Sequence, residues 1–200
     1  MRAAQALRED VKAEREAFLA WLAQVDPTRL VMVDESGICI GMRLGYGYAP
    51  RGQRAVDTAP AGRGRRLSLI GWLDWFGNGT VVHLSGTVNK AIFRRFVVEH
   101  LLEELEAGDI VVWDNAKIHE DAELVALIEA KGAELKRLPR YSPEFNAIEM
   151  LWSKLKHYIK KARADTQEAL KGALEQAARL VQRSDAQGWF EHCGYRLQPT

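Results

Sequence analysis

Residues 30–37, Leu-Val-Met-Val-Asp-Glu-Ser-Gly, and residues 110–115, Ile-Val-Val-Trp-Asp-Asn, share one pattern in which four apolar side chains run directly into an acid. Four residues are too few for a helix, and the polar stop that follows marks each run as a buried strand. Both strands therefore deliver an aspartate, Asp34 and Asp114, at the strand ends where α/β sheets commonly carry their sites.

Working outward, residues 67–75 and 80–84 are β-like runs on either side of Phe76-Gly77-Asn78-Gly79, and the Asn-Gly pair predicts an antiparallel hairpin. Helical spacing returns over 89–106, breaks at Gly108-Asp109 and resumes over 121–131. Residues 134–138 are strand-like, Pro139 to Pro143 make a rigid turn, and helices are predicted over 144–164 and 166–183. Residues 3–24 place apolar side chains at Leu7, Val11, Phe18, Leu19 and Leu22 and predict a leading helix ended by Asp26-Pro27. Packing of that helix on its own domain is the simpler reading, and Phe18, Trp21 and Leu22 decide it. Residues 37–66, rich in Gly, Arg and Pro, read as an extended insertion. The order of strand, hairpin, helix, strand, helix, strand, helix predicts an α/β fold, a mixed sheet flanked by helices. The expected division is a helical segment over 1–28 and one domain over 29–200.

The composition agrees with one folded domain: 200 residues, 47% apolar and 28% charged, enough to bury a core and unlike a disordered or collagenous chain. Cys39 and Cys193 lack ligand spacing and give no disulfide framework, which points to a reducing compartment. No apolar run approaches the roughly 18 residues that span a bilayer, so a soluble, cytoplasmic protein is expected. The net charge of +1 hides a divided chain. Residues 37–66 hold Arg43, Arg51, Arg54, Arg63, Arg65 and Arg66 against Asp57, a local +5, and residues 136–163 carry a local +6. The remainder carries −10, so any nucleic-acid surface comes from this unevenness.

Asp34, Asp114 and Glu149, the last inside the helix after Pro143, are the acids hardest to explain as solubility alone. Three converging carboxylates suit Mg²⁺ or Mn²⁺, hard cations that prefer oxygen ligands. Two such ions about 3.5 to 4 Å apart activate a water and stabilise the leaving oxygen in phosphodiester cleavage. Each acid can equally end a strand or cap a helix, and Glu35, Asp109 and Glu144 compete for the same roles. Composition and spacing leave this open.

The wider motifs separate them: V-M-V-D-E-S-G at 31–37, V-V-W-D-N-A-K-I-H at 111–119, and L-P-R-Y-S-P-E-F-N-A-I-E-M-L-W-S-K-L-K at 138–156. Together they resemble the mariner-type D-D-E transposases, in their bacterial insertion-sequence branch. Thirty-four residues lie between Asp114 and Glu149, as in that family's acidic triad. The resemblance implies a ribonuclease H-like fold with Asp34, Asp114 and Glu149 as catalytic metal ligands. Asp34 then bridges two Mg²⁺ ions, for which Mn²⁺ substitutes, and Asp114 and Glu149 hold one each. Glu35, Asp109 and Glu144 drop out, while Asn115 and His119 match polar residues that orient the acid, a water or a phosphate. The implied activity is hydrolysis at transposon ends followed by strand transfer into target DNA, in a homodimer. A simpler nuclease, or a non-catalytic DNA-binding or assembly module, would share the same fold.

Two departures from that family stand out. Ala147 replaces the proline usual between asparagine and isoleucine, which predicts a looser helix entry. Only about thirty residues precede Asp34, where the family places helix-turn-helix modules. The expectation is a catalytic half alone, cut from a longer chain or made as the second product of a split reading frame. On a helix, Glu149, Ser153, Lys156, Lys160 and Arg163 share one face and Ile148, Leu151, Leu155, Tyr158 and Ile159 another, so Lys156 and Lys160 are expected to contact phosphates beside the acid. Arg51, Arg54, Arg63, Arg65 and Arg66 are the further DNA contacts expected, while Trp72, Trp75, Trp113 and Trp152 belong to the core.

Overall fold

The computed structural model describes residues 8–58 and 64–197. Its central strand, β1 (Leu30–Cys39), pairs antiparallel with β2 (Arg66–Asp74) on one side and parallel with β4 (Ile110–Trp113) on the other. β3 (Gly79–Ser85) adds antiparallel to β2 and β5 (Glu134–Arg137) parallel to β4, giving a five-stranded mixed sheet in the order β3-β2-β1-β4-β5. The helices are α1 (Glu9–Leu22), α2 (Lys90–His100), α3 (Ala122–Ala130), α4 (Ile148–Ala162), α5 (Gln167–Ala178) and α6 (Arg183–His192).

Because side chains alternate along a strand, β1 supplies both faces of the sheet. Leu30, Met32 and Ile38 join one core with α1, α4, α5 and α6. Val31 and Val33 join the other, with Phe93, Phe96 and Val97 of α2 and Leu124 and Ile128 of α3. Burial on both faces is why the first half of β1 is continuously apolar. The same alternation sends Asp34 to the α4 face and Glu35 to the α2 and α3 face.

Several boundaries differ from the sequence reading. β1 does not stop at Asp34 but continues to Cys39, so the insertion begins at Ile40 and not at Gly37. Gly37 stays in the ladder opposite Ser68, with the Arg66 guanidinium lying where a side chain would stand. The helix predicted over 89–106 ends at His100, where Leu101 turns to φ −121°, although Leu101, Leu102 and Leu105 stay buried. The predicted 144–164 helix begins only at Ile148, after a 3-10 turn over Pro143–Phe145, and α5 ends at Ala178, leaving α6 as an element the periodicity missed. The hairpin forms as expected, with the Asp74 N–H donating to the Asn78 carbonyl across the turn at 3.0 Å.

α1 packs on its own domain. Phe18 and Leu22 are buried, Trp21 partly so, and the Phe18 ring sits 5.1 Å from that of Phe145. Polar contacts repeat the docking: Arg140 meets Asp10 at 2.7 Å and Glu14 at 2.6 Å, and Arg15 meets Glu144 at 2.6 Å. The insertion is tied to the end of α4 by Arg43 on both oxygens of Asp165, by Arg163 on Asp57, and by the Gly41 N–H on the Ala164 carbonyl.

Candidate active site

The parallel pairing of β1 with β4 matches Met32 to Val112, and two residues beyond that pair come Asp34, still within β1, and Asp114, just past the end of β4. Register alone therefore sets the two aspartates side by side. α4 crosses the same face on Ile148, Leu151, Trp152, Leu155 and Ile159, all buried, and its first turn carries Glu149. Ala147 has φ −61°, close to the value a proline ring would impose, and is fully buried, so its substitution leaves the helix entry in place. Asp34, Asp114, Asn115 and Glu149 line one cleft of about 430 Å³, together with Asn146 and Tyr141.

Asp34 is 9% exposed, and its oxygens are held on three sides. Oδ1 accepts from the Glu35 N–H at 2.8 Å, and Oδ2 accepts from Asn146 Nδ2 at 3.2 Å and from the Trp152 indole N–H at 3.3 Å. Trp152 reaches it because Gly71, the β2 partner of Asp34, carries no Cβ: one built there would meet the Trp152 ring at 2.9 Å and the Thr80 carbonyl oxygen at 2.8 Å. Burial, then the charge of Glu149, push the Asp34 carboxyl up to about 7, with Glu35 and Asp114 adding to the repulsion.

Asp114 lies just past β4 and is more open. Burial acts to raise its pKa, but the hydrogen bond from His119 Nδ1 and that from the Ala116 N–H, both 2.8 Å, hold it below the usual carboxylate range. His119 is fully buried between Phe93 and Trp113, and its Nε2 donates to Glu35 at 2.9 Å. Burial opposes its charge, yet the two carboxylates prevail and raise it to about 9, an imidazolium bridging β1 to the loop after β4.

Asn115 lines the cleft and donates from Nδ2 to the Leu138 carbonyl, whereas His119 sits beneath the cleft wall and acts on Asp114. Lys156 and Arg66 line an adjoining cleft that shares Glu149 and includes Glu35. Lys160 belongs to a larger hollow of about 770 Å³ against the insertion, with Tyr46, Tyr48 and Lys161. Arg163 leaves the expected basic stripe, because it caps α4 in a left-handed conformation and pairs with Asp57. Arg51, Arg54 and Arg65 are exposed and do not line the acid cleft, and Arg63 lies outside the described residues. The other acids have different work: Asp109 accepts from the Glu106 N–H, and Glu144 pairs with Arg15.

Three partners of the acids escaped the sequence reading. Glu35, Asn146 and Trp152 act on groups 84, 112 and 118 positions away, and only the alternation of β1 could have pointed Glu35 away from Asp34. Among the described residues, no three His, Cys, Asp or Glu side chains stand close enough to hold an ion as they are. The acids line the cleft as a loose, mutually repelling set, and Asn146, 4% exposed beside them, leaves its Oδ1 without a partner among the described residues.

The architecture is that of solved transposase structures. The Mos1 transposase paired-end complex with left transposon end matches with a TM-score of 0.73 at 22% identity, over 92% of this chain and 59% of that one. The Mos1 mariner paired end complex with Mn matches with a TM-score of 0.73 at 22% identity, over 94% and 62%. The catalytic domain of Mos1 mariner transposase matches with a TM-score of 0.67 at 16% identity, over 96% and 89%. This chain thus spans about three-fifths of the longer Mos1 chains, and the likeness establishes the shared ribonuclease H-like fold. No curated protein sequence matches. The family model described as DDE superfamily endonuclease matches residues 29–171, from the turn before β1 into α5 and across all three acids, and the chain therefore belongs to the DDE superfamily endonucleases.

Proposed function

We propose that this chain is the catalytic domain of a transposase of the bacterial insertion-sequence branch, with Asp34, Asp114 and Glu149 as its catalytic metal ligands. The observation that carries the reading is the convergence of the middle of β1, the end of the neighbouring β4 and the start of α4, each bearing a carboxylate, on a single cleft. The donors suit a hard divalent cation: three carboxylates whose repulsion a cation would relieve, beside the unpartnered oxygen of Asn146. Such ions, two Mg²⁺ or Mn²⁺ in this reading, would activate a water and stabilise the negative charge that develops on the leaving oxygen. Asp34, Asp114 and Glu149 hold them, His119 keeps Asp114 turned into the cleft, and Lys156 with Arg66 meets phosphates beside Glu149. A water attacks the phosphorus in line and frees a 3′-hydroxyl, which then attacks target DNA with loss of the target's 3′ oxygen, with no covalent protein intermediate. The active form in this reading is a homodimer acting on chromosomal DNA in the cytoplasm, with a helix-turn-helix region, preceding or separate, to recognise transposon ends. Among the described residues, no helix is long and apolar enough to cross a membrane.

The test is nicking and joining of supercoiled plasmid with Mn²⁺ or Mg²⁺ against an EDTA control. Metal-dependent nicks with joined product support the transposase, nicks without joining a nuclease, and DNA binding without either a non-catalytic module.

Two further results are expected. Lys156→Glu and Lys160→Glu each weaken DNA binding and flatten its log–log salt dependence by about one, because each lost phosphate contact retains its counterion. Anisotropy titrations across a salt series check this, and parallel slopes would reject the placement. Asp34 gives a pH dependence. Its folded pKa of about 7 lies above the ordinary 3.8, so the metal-free fold holds the extra proton between these values. That stability is present at low pH and lost as pH rises towards 7. A bound cation replaces the proton, so stabilisation by Mn²⁺ in thermal melts is expected to grow between about pH 5 and pH 8. An equal Mn²⁺ shift at both ends would remove Asp34 from the ligand set.

A further inference from the structure

Tyr141 sits at the lip of the acid cleft with φ 56°, a left-handed backbone that glycine or asparagine adopts more easily. Among the described residues only one other non-glycine, Arg163, has positive φ, and there the helix cap and the Asp57 ion pair account for it. Among the described residues, no side-chain hydrogen bond or ion pair accounts for tyrosine at 141. Its side chain is 52% exposed, and among the described residues none hydrogen-bonds its hydroxyl. An uncompensated strained residue beside a site points to function.

The turn that presents it is braced on both sides. Arg140 is clamped by Asp10 and Glu14, and Ser142, buried, accepts from Arg15 and donates to the Arg140 carbonyl at 3.1 Å. Pro139 and Pro143 flank these residues and line the cleft. α1 thus fixes the turn, and the turn fixes an aromatic face at the entrance. A cleft of about 430 Å³ is at the low end for small-ligand pockets, room for about a nucleotide and not for the width of a duplex. A base that enters the cleft is therefore one that has left its stack, and it can regain a stacking partner only from the cleft's own lining.

We propose that Tyr141 is a positioning residue that stacks on an unpaired base next to the scissile phosphate, which rests on the reading of this cleft as a DNA-cleaving site. Stacking on an aromatic face is sequence-tolerant and needs no hydroxyl. The test uses the full chain and a short duplex with a 3′ single-stranded overhang, carrying 2-aminopurine at the junction, in EDTA so that binding is read without cleavage. The parent is expected to quench the fluorophore. Tyr141→Ala is expected to lose the quench and bind roughly 5- to 100-fold more weakly, and Tyr141→Phe to restore both. Tyr141→Gly separates strain from contact: it should melt at or above the parent's temperature yet bind as poorly as Tyr141→Ala. No quench by the parent, or parent-like quenching and affinity in the Ala or Gly variant, overturns the base contact. A parent that binds and quenches but never cleaves with Mn²⁺ overturns the catalytic reading instead.

Discussion

Asp114→Asn is expected to lower metal-dependent DNA cleavage by roughly 10³-fold or more, since an anionic ligand supports several kcal/mol of transition-state stabilisation and each 1.4 kcal/mol is tenfold. The fold should stand. Asp114 uses Oδ1 to accept from both Ala116 N–H and His119 Nδ1, and an asparagine oxygen can keep both bonds. What disappears is the charge. Glu149→Gln should behave alike, because Glu149 is exposed and its helix is anchored by the apolar residues on the other face. Asp34→Asn should also abolish cleavage but is a poorer probe. Both Asp34 oxygens accept hydrogen bonds, so an amide nitrogen there would confront a donor from Glu35 or from Asn146 and Trp152. Plasmid nicking, a thermal melt and DNA anisotropy measured together check the set. Cleavage by Asp114→Asn at the parent rate would remove Asp114 from the machinery.

The uneven legibility of these residues has physical causes. β4 was readable because Ile110 to Trp113 is short, apolar and buried, and the sheet ends there. β1 was misread as ending at Asp34 because Ser36 and Gly37 break strands in isolation, whereas here nine residues of antiparallel pairing with β2 carry them to Cys39. α6 was missed because Ala186 and Phe190 are its only buried side chains, and its start is a Gln182–Asp185 capping box, outside the usual Ser or Thr signature. The choice among the acids was closed to composition, since Asp109 and Glu144 have ordinary local or ionic partners and Glu35 differs from Asp34 only by strand parity. The family motif supplied that choice. Its long-range supports, Asn146 and Trp152 on Asp34, depend on Gly71 leaving space on a neighbouring strand, a pairing no local window contains.

Phe18→Ala is expected to cost about 3–5 kcal/mol of stability, which for a domain of this size lowers the melting temperature by roughly 10 °C. The prediction turns on whether α1 belongs to the domain or trails from its edge. Phe18 is 3% exposed, with ring centroids 5.0 Å from Trp21 and 5.1 Å from Phe145, and Lys136 Nζ lies over both Phe18 and Trp21. Removing the ring empties a space bounded by β5, α1 and the turn before α4, where little can collapse to fill it. The loss should extend to the chemistry, because Phe145 immediately precedes Asn146, whose amide holds Asp34. Cleavage measured well below the melting temperature should therefore fall too. Leu19→Ala, on the exposed side of the same helix, is the control and should change stability by about 0.5 kcal/mol or less. If Phe18→Ala melts with the control, α1 is an appendage and the domain begins near residue 28. If it melts far below the control, residues 9–22 are part of the domain and brace the turn that lines the acid cleft.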